Sequence, residues 1–286
     1  MKKLFVIIGF WGFFSLCMSE ASAQYITDQS FVDGIFVENA TGVKEPIHLP
    51  SIREADVMWK KTIWREIDFN QKMNQGFYFP VVPHQNWQNL ITILMNGLRS
   101  GEIVAYADEI TSTGELINPI SYSKIVENTT LRGSTKRLND DTGELEDIAY
   151  EEQLKSEDAT RCRVTERWYF DKQRSQMTVR IIAICPVRLA DDGNGNMVTE
   201  PLFWVPYNDA TRRLLAKSPF FNRQNSATQL SYDEVFVKRM FDSYIYREEN
   251  IYDRNIKDYA KGVEALNESE RIKQSIIDYE QQLWEY

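Results

Sequence analysis

"RCRVTERWYFDKQRSQMTVRIIAICPV", Arg161 to Val187, decides the fold. It reads as two strands joined by a turn. On the first strand Cys162, Val164, Trp168 and Phe170 share one parity. On the second, Met177, Val179, Ile181, Ala183 and Cys185 share one. Placing the turn over Asp171–Gln176 pairs Phe170 with Met177 and Trp168 with Val179. Carried on without interruption, that register pairs Val164 with Ala183 and sets Cys162 opposite Cys185. The apolar faces then coincide, as a buried sheet face requires. In an oxidising compartment a cross-strand disulfide between Cys162 and Cys185 is the candidate. Two buried thiols acting as small apolar residues are the other reading.

Outward from this hairpin the chain alternates between helical and irregular patterns. "DVMWKKTIWREIDFNQKMN" (56–74) spaces Trp59, Ile63 and Ile67 four apart and reads as a helix. "GFYFPVVPHQ" (76–85) breaks it with Gly76, Pro80 and Pro83. "NWQNLITILMNGLRSG" (86–101) restarts a helix, with Trp87, Leu90, Ile91, Leu94 and Leu98 on one face and Gly97 or Gly101 near its end. "EIVAYA" (102–107) reads as a short strand. Residues 108–160 are polar and irregular, with one strand near Ile120. "ADDGNGNMVTE" (190–200) reads as a loop before the strand "PLFWVPY" (201–207), and a short helix opens at Asp209. Ser231 and Glu234 have capping-box spacing, with Phe236, Met240 and Tyr244 as a helical stripe behind them. Asn267 and Glu270 repeat the device before Ile272, Ile276, Tyr279 and Leu283. The expected class is α+β: a small antiparallel sheet with a central hairpin, packed by several helices. Residues 56–286 form the single expected domain, helical over 231–286. Residues 24–55 mix single apolar residues with Gly, Pro, Asn and Asp and read as an extended N-terminal arm.

Residues 1–23 read as a signal peptide. Met1-Lys2-Lys3 is basic, Leu4–Leu16 is apolar, and Ala21-Ser22-Ala23 is a small-x-small site, so cleavage falls between Ala23 and Gln24. Leu16 directly before Cys17 makes that cysteine a poor lipid acceptor. The apolar run is shorter than the ~20 residues a spanning helix needs. The mature protein is therefore expected to be exported and soluble. Cleavage would remove 23 of the 286 residues, with two cations and one anion, taking the net charge from −9 to −10. An acidic chain repels nucleic acid and anionic membranes. Hydrophobic residues make up 43% of the sequence, enough for a proper core without staples.

The search for chemistry finds no catalytic motif. The two histidines, His48 and His84, sit among prolines with no ligand spacing around them. No GxSxG elbow is present. Cys185 inside a strand reads as a packed, inert thiol. "LNDDTGELED" (138–147) and "ADDGNGN" (190–196) fail the calcium-loop pattern, because the first ligand position falls on Leu138 or Ala190. No catalytic, metal or cofactor residue is expected. Trp168, Trp204 and Trp284 read as sugar-cleft, core or interface aromatics.

Blocks from Trp168 onward carry a specific resemblance. "WYFDKQRSQMTVRIIAICPV" (168–187), "PLFWVPYNDATRRLLA" (201–216), "FNRQNSATQLSYDEVF" (221–236), "YREENIYDRNIKDY" (246–259) and "ESERIKQSIIDYEQQLWEY" (268–286) resemble the GldN/PorN family. "DVMWKKTIWREIDFNQKMN" (56–74), "FYFP" (77–80) and "LMNGLRSGEIVAYADE" (94–109) agree more loosely. The resemblance implies a non-enzymatic subunit of the type IX secretion and gliding machinery. It implies assembly with a GldK/PorK-like lipoprotein into a periplasmic ring under the outer membrane, coupled to a GldM/PorM-like motor protein. The chain would then be periplasmic, held at the outer membrane through its lipoprotein partner. Candidate contact residues are the arm, Trp204, Trp284 and Tyr286. The competing reading is an exported carbohydrate-binding protein or hydrolase with an aromatic-lined cleft.

Overall fold

The computed structural model describes residues 44–84, 87–107, 116–138, 145–191, 197–221, 230–252 and 254–284. The signal cleavage site at Ala23 and Gln24, most of the arm, and Tyr286 lie outside them. The described residues belong to one compact unit. In chain order the elements are β1 (Val57–Asp68), α1 (Gln75–Tyr78), α2 (Leu90–Ser100), β2 (Ala105–Tyr106), β3 (Pro119–Ile120), α3 (Tyr122–Thr129), β4 (Leu131–Leu138) and β5 (Leu145–Glu152). There follow β6 (Ala159–Asp171), β7 (Gln176–Asp191), β8 (Met197–Pro201), β9 (Val205–Pro206), α4 (Asp209–Lys217), β10 (Pro219–Phe220), β11 (Leu230–Ser231), α5 (Tyr232–Val237), β12 (Tyr244–Glu248) and α6 (Val263–Trp284). The class is α+β. The main sheet is antiparallel in the order β12-β1-β6-β7-β8, with β9 also paired to β7.

Residues 57–68 are a strand, which corrects the helical reading of this stretch. Trp59, Ile63 and Ile67 recur every four residues, and four is both one helical turn and twice the strand period. What separates the two is composition and position. Val57, Trp59, Thr62, Ile63 and Trp64 favour the pleated conformation. The strand lies between β12 and β6, and Thr62 to Ile67 are buried without a break. A strand covered on both faces shows no alternation to read.

The β6–β7 hairpin forms with the expected turn. Phe170 pairs with Met177 and Trp168 with Val179. Between Thr165 and Glu166 a bulge leaves Ile182 unpaired, and the register beyond it moves by one residue. Val164 therefore faces Ile184, Cys162 faces Pro186, and Arg163 faces Cys185. The uninterrupted register, and the opposition of the two cysteines that followed from it, are thereby corrected. Bulges of this kind turn a strand's side chains to the other face.

Ile67, Cys162, Val164 and Ile184 meet Phe77, Leu90, Leu94, Leu215 and Phe236 from α1, α2, α4 and α5. Further along the same face, Ile63 and Ile245 meet Ile272 and Ile276 of α6. Trp59 lies 5.1 Å from Tyr279, adding a ring contact to that seam. The opposite face buries Trp64, Ala183, Cys185, Val187, Trp204 and Tyr246.

Helix ends follow local chemistry. The Asn89 side chain accepts from the Thr92 amide at 2.9 Å, and Gly101, at φ 75°, closes α2 in the left-handed conformation. The Ser231–Glu234 capping box forms at 3.2 and 2.8 Å. The helix it opens is short, ending at Val237, and Arg239 turns the chain at φ 55°. Tyr244 then begins a strand rather than closing a helical stripe. Asn267 lies inside α6, which starts at Val263 just after Gly262 at φ 59°. Met197 to Pro201, read as loop and strand start, form β8. Residues 131–138 and 145–152 pair as antiparallel strands, in which Leu131 faces Glu152 and Leu138 faces Leu145. They were legible only as polar excursion, because in β4 only the terminal leucines are large and apolar.

Candidate functional site

Three buried carboxylates organise the polar interior, and each accepts hydrogen bonds from at least one arginine. Glu166, fully buried on β6, accepts from Arg65 Nε at 3.0 Å, Arg239 Nη1 at 2.7 Å and Trp168 Nε1 at 3.1 Å. Arg65 and Arg239 both lie over the Trp168 ring, 5.9 and 5.5 Å from its centroid. This cluster occupies the sheet face between the helical core and the α6 seam. Burial pushes the Arg65 guanidinium down from its ordinary value, and the Glu166 charge opposes that.

Glu66 is the counterpart on the other face. It accepts from Arg161 Nη1 at 2.7 Å, from Arg163 Nε at 3.1 Å and from the Tyr244 hydroxyl. Burial raises its carboxyl, but the Tyr244 hydroxyl and the two guanidinium groups outweigh burial and hold it below the usual glutamate value. The same burial and the Glu66 charge push the Tyr244 phenol up.

The third carboxylate, Asp233 of α5, holds the arm. Its side chain accepts from Tyr207 Oη at 2.7 Å, from Arg212 Nε at 2.9 Å and from the Ile47 amide at 3.0 Å. Arg212 donates back to the Ile47 carbonyl. Lys44 pairs with Glu234 at 3.1 Å, and Arg180 donates to the Pro50 carbonyl. Residues 44–53 have no regular structure and are tied to the domain at these points. The acceptor is the residue after Tyr232 in the capping-box helix, and no sequence pattern marks it as an arm contact.

These carboxylates are filled by donors and fixed by packing, so they suit joining elements rather than exchanging protons with a substrate. Among the described residues no group of three His, Cys, Asp or Glu side chains could hold a metal ion. His48 and His84 are exposed. Cys162 and Cys185 are buried thiols not bonded to each other, on different faces of the sheet. Burial pushes the Cys162 thiol well above its ordinary value, which makes it inert. Trp204, a candidate contact residue, is 1% exposed and packs with Trp64 and Tyr246; it is a core residue. Trp284 is the last residue of α6, and its side chain lies outside what the structure describes.

The surface offers more than the interior. A groove of about 460 Å³ runs between β12 and the start of α6, lined by Tyr244, Ile245, Ile256, Ala260, Ala265 and Leu266. Lys257 and Lys261 also line it. Sequence reading missed it because its apolar residues come from a strand, a turn and a helix, with no shared period. None of the helices among the described residues is long and apolar enough to cross a membrane.

No curated protein matches the chain. A family model described as "Gliding motility associated protein GldN" matches residues 52–285, from the end of the arm through α6. That span takes in the main sheet, the six helices among the described residues, and the Glu66 and Glu166 clusters. The chain belongs to the GldN family and is a component of the gliding-motility and type IX secretion machinery.

Proposed function

We propose that this protein is a non-enzymatic structural subunit of that machinery, working through shape-matched surfaces. In this reading it crosses the inner membrane on its signal peptide and matures in the periplasm. It assembles with a GldK/PorK-like lipoprotein, and with further copies of itself, into a ring under the outer membrane. A GldM/PorM-like motor protein engages the ring. Repeating one heterologous contact closes a ring when the rotation per subunit divides the circle.

The observation that carries the reading is the family match over residues 52–285. The interior supports it: Glu66, Glu166 and Asp233 each join separate elements through arginine, giving a braced body suited to bearing load. The burial of Trp204 takes one aromatic away from the competing sugar-cleft reading.

The test is co-expression of the mature chain with the GldK/PorK-like lipoprotein, followed by sedimentation of the purified material. A co-complex far larger than a heterodimer is the expected result. A monomer that ignores the lipoprotein would sink the reading, the more so if it turned over a glycan.

A further inference from the structure

The turn after β12 and the first residues of α6 expose apolar side chains that no core uses. Ile251 is 98% exposed, Tyr252 76% and Val263 73%. Arg254 lies over both the Tyr252 and Tyr259 rings, at 5.0 and 4.6 Å, and links this rim to the groove. Among the described residues, Lys257 and Lys261 on the groove wall make no ion pair. Of the nearby carboxylates, Asp258 accepts from the Asn255 amide at 2.7 Å and Glu268 holds Arg271 and Tyr259, while Glu264, whose amide donates to the Lys261 carbonyl at 3.2 Å, makes no ion pair with either lysine. An apolar trough walled by two lysines that make no ion pair among the described residues is thus set in a protein whose net charge is −9.

We propose that this groove is a docking site for an acidic peptide segment of a partner protein. Apolar side chains of the segment fill the trough over Ile256, Ala260 and Leu266, and its carboxylates meet Lys257 and Lys261. Charge complementarity fixes the sign of the partner. The concavity favours a peptide over a membrane. Stable adsorption to anionic lipid draws on clusters of about four to eight cations, and the wall of this groove carries two. The proposal rests on reading the chain as a recognition subunit, and it names one surface and the chemistry it selects.

The experiment uses the mature chain and two short fluorescein-labelled peptides, one alternating Glu with Ile and one alternating Lys with Ile. Anisotropy should show binding of the Glu peptide, weakened by salt, and none of the Lys peptide. The double variant Lys257→Glu with Lys261→Glu should raise the Kd about tenfold or more, since it replaces attraction with like-charge repulsion. Leu266→Asp should do the same from the apolar side. All three residues are exposed, so the variants keep the native melting curve. Equal binding of both peptides, or a Glu-peptide Kd unmoved by the double variant, would overturn the proposal. So would lysine-dependent capture of phosphatidylglycerol vesicles by a chain that ignores the Glu peptide. The lipoprotein co-sedimentation of the wild-type chain separates the two failures. A large co-complex with no peptide binding removes this groove alone; loss of the co-complex removes the recognition reading itself.

Discussion

Cys162 and Cys185 point to opposite faces of one sheet. Cys162 faces Pro186 across the β6–β7 ladder, and neighbours along a strand point opposite ways. Cys162 packs with Val164 and Ile184, while Cys185 packs with Trp64 and Trp204. A bond between them would have to pass through the backbone, or return Ile182 to the ladder and turn one end of β7 over. Titration of the mature chain without reductant should find no reactive thiol at neutral pH and two after denaturation. A disulfide-linked peptide carrying both residues in non-reducing mapping would refute the bulged register.

The bulge also shows where sequence reading stops. Alternation of Trp168, Phe170, Met177 and Val179 fixed the hairpin and its turn, because the ladder from Glu166–Ile181 to the turn runs without a bulge. A single extra residue at Ile182 leaves no compositional trace, yet it shifts the pairing from Thr165–Ala183 to Arg161–Val187 by one residue, until a second irregularity at Thr160 restores it. β1 was misread for a related reason: Trp59, Ile63 and Ile67 satisfy both periods, and only the pairing partners distinguish them. β12 repeats the lesson, since Phe236, Met240 and Tyr244 are also four apart. The caps at Asn89 and Ser231 act within a few residues, and Ser231 was read correctly. The Asp233 clasp and the groove by Lys257 draw on residues far apart in the chain, so no local pattern announces either.

Glu166 is the position where loss of one side chain should cost most. Glu166→Ala leaves Arg65 and Arg239 together over Trp168 without the carboxylate that bonds both, and the Arg239 charge already disfavours the charged form of Arg65. Removing one partner of a buried ion cluster costs about 3–5 kcal/mol. Glu166→Gln should cost less, because the amide oxygen still accepts one hydrogen bond. Urea unfolding of the two variants should place the alanine midpoint below the glutamine midpoint, and both below wild type. Equal midpoints for all three would show that the cluster carries no net stability.

Glu66 predicts an acid limb. Its folded carboxyl is held below the ordinary value of about 4.3, so between the two values the unfolded chain binds the proton more readily than the folded one. Stability from this site is therefore fully present above the ordinary glutamate value. It is lost as pH falls through that value and then through the lower folded one. Glu66→Gln removes the titration, so the variant should be less stable at pH 7 and lose less on acidification. Thermal melts between pH 7 and pH 3 measure both. A wild-type and variant difference that stays constant across this range would mean that Glu66 is not held low by Tyr244, Arg161 and Arg163.

Asp233 should govern the order of the arm. Ile47 gives its amide hydrogen to this carboxylate and takes one back from Arg212, so one ion pair holds both polar groups of a single arm residue. Hydrogen bonds to charged groups contribute about 1.5–3 kcal/mol, and loss of one should speed exchange of the Ile47 amide by roughly ten- to a hundredfold. Asp233→Asn tests this, but Tyr207 and Arg212 also depend on the carboxylate, so the variant will lower the melting temperature as well. Arg180→Ala is the control, because it releases the Pro50 carbonyl while leaving Asp233 and its partners in place. Hydrogen exchange should show Ile47 accelerated in Asp233→Asn and little changed in Arg180→Ala. If Asp233→Asn melts earlier yet the Ile47 amide exchanges at its wild-type rate relative to global opening, the carboxylate serves only α4 and α5, and the arm is ordered by Lys44 and Arg180 instead.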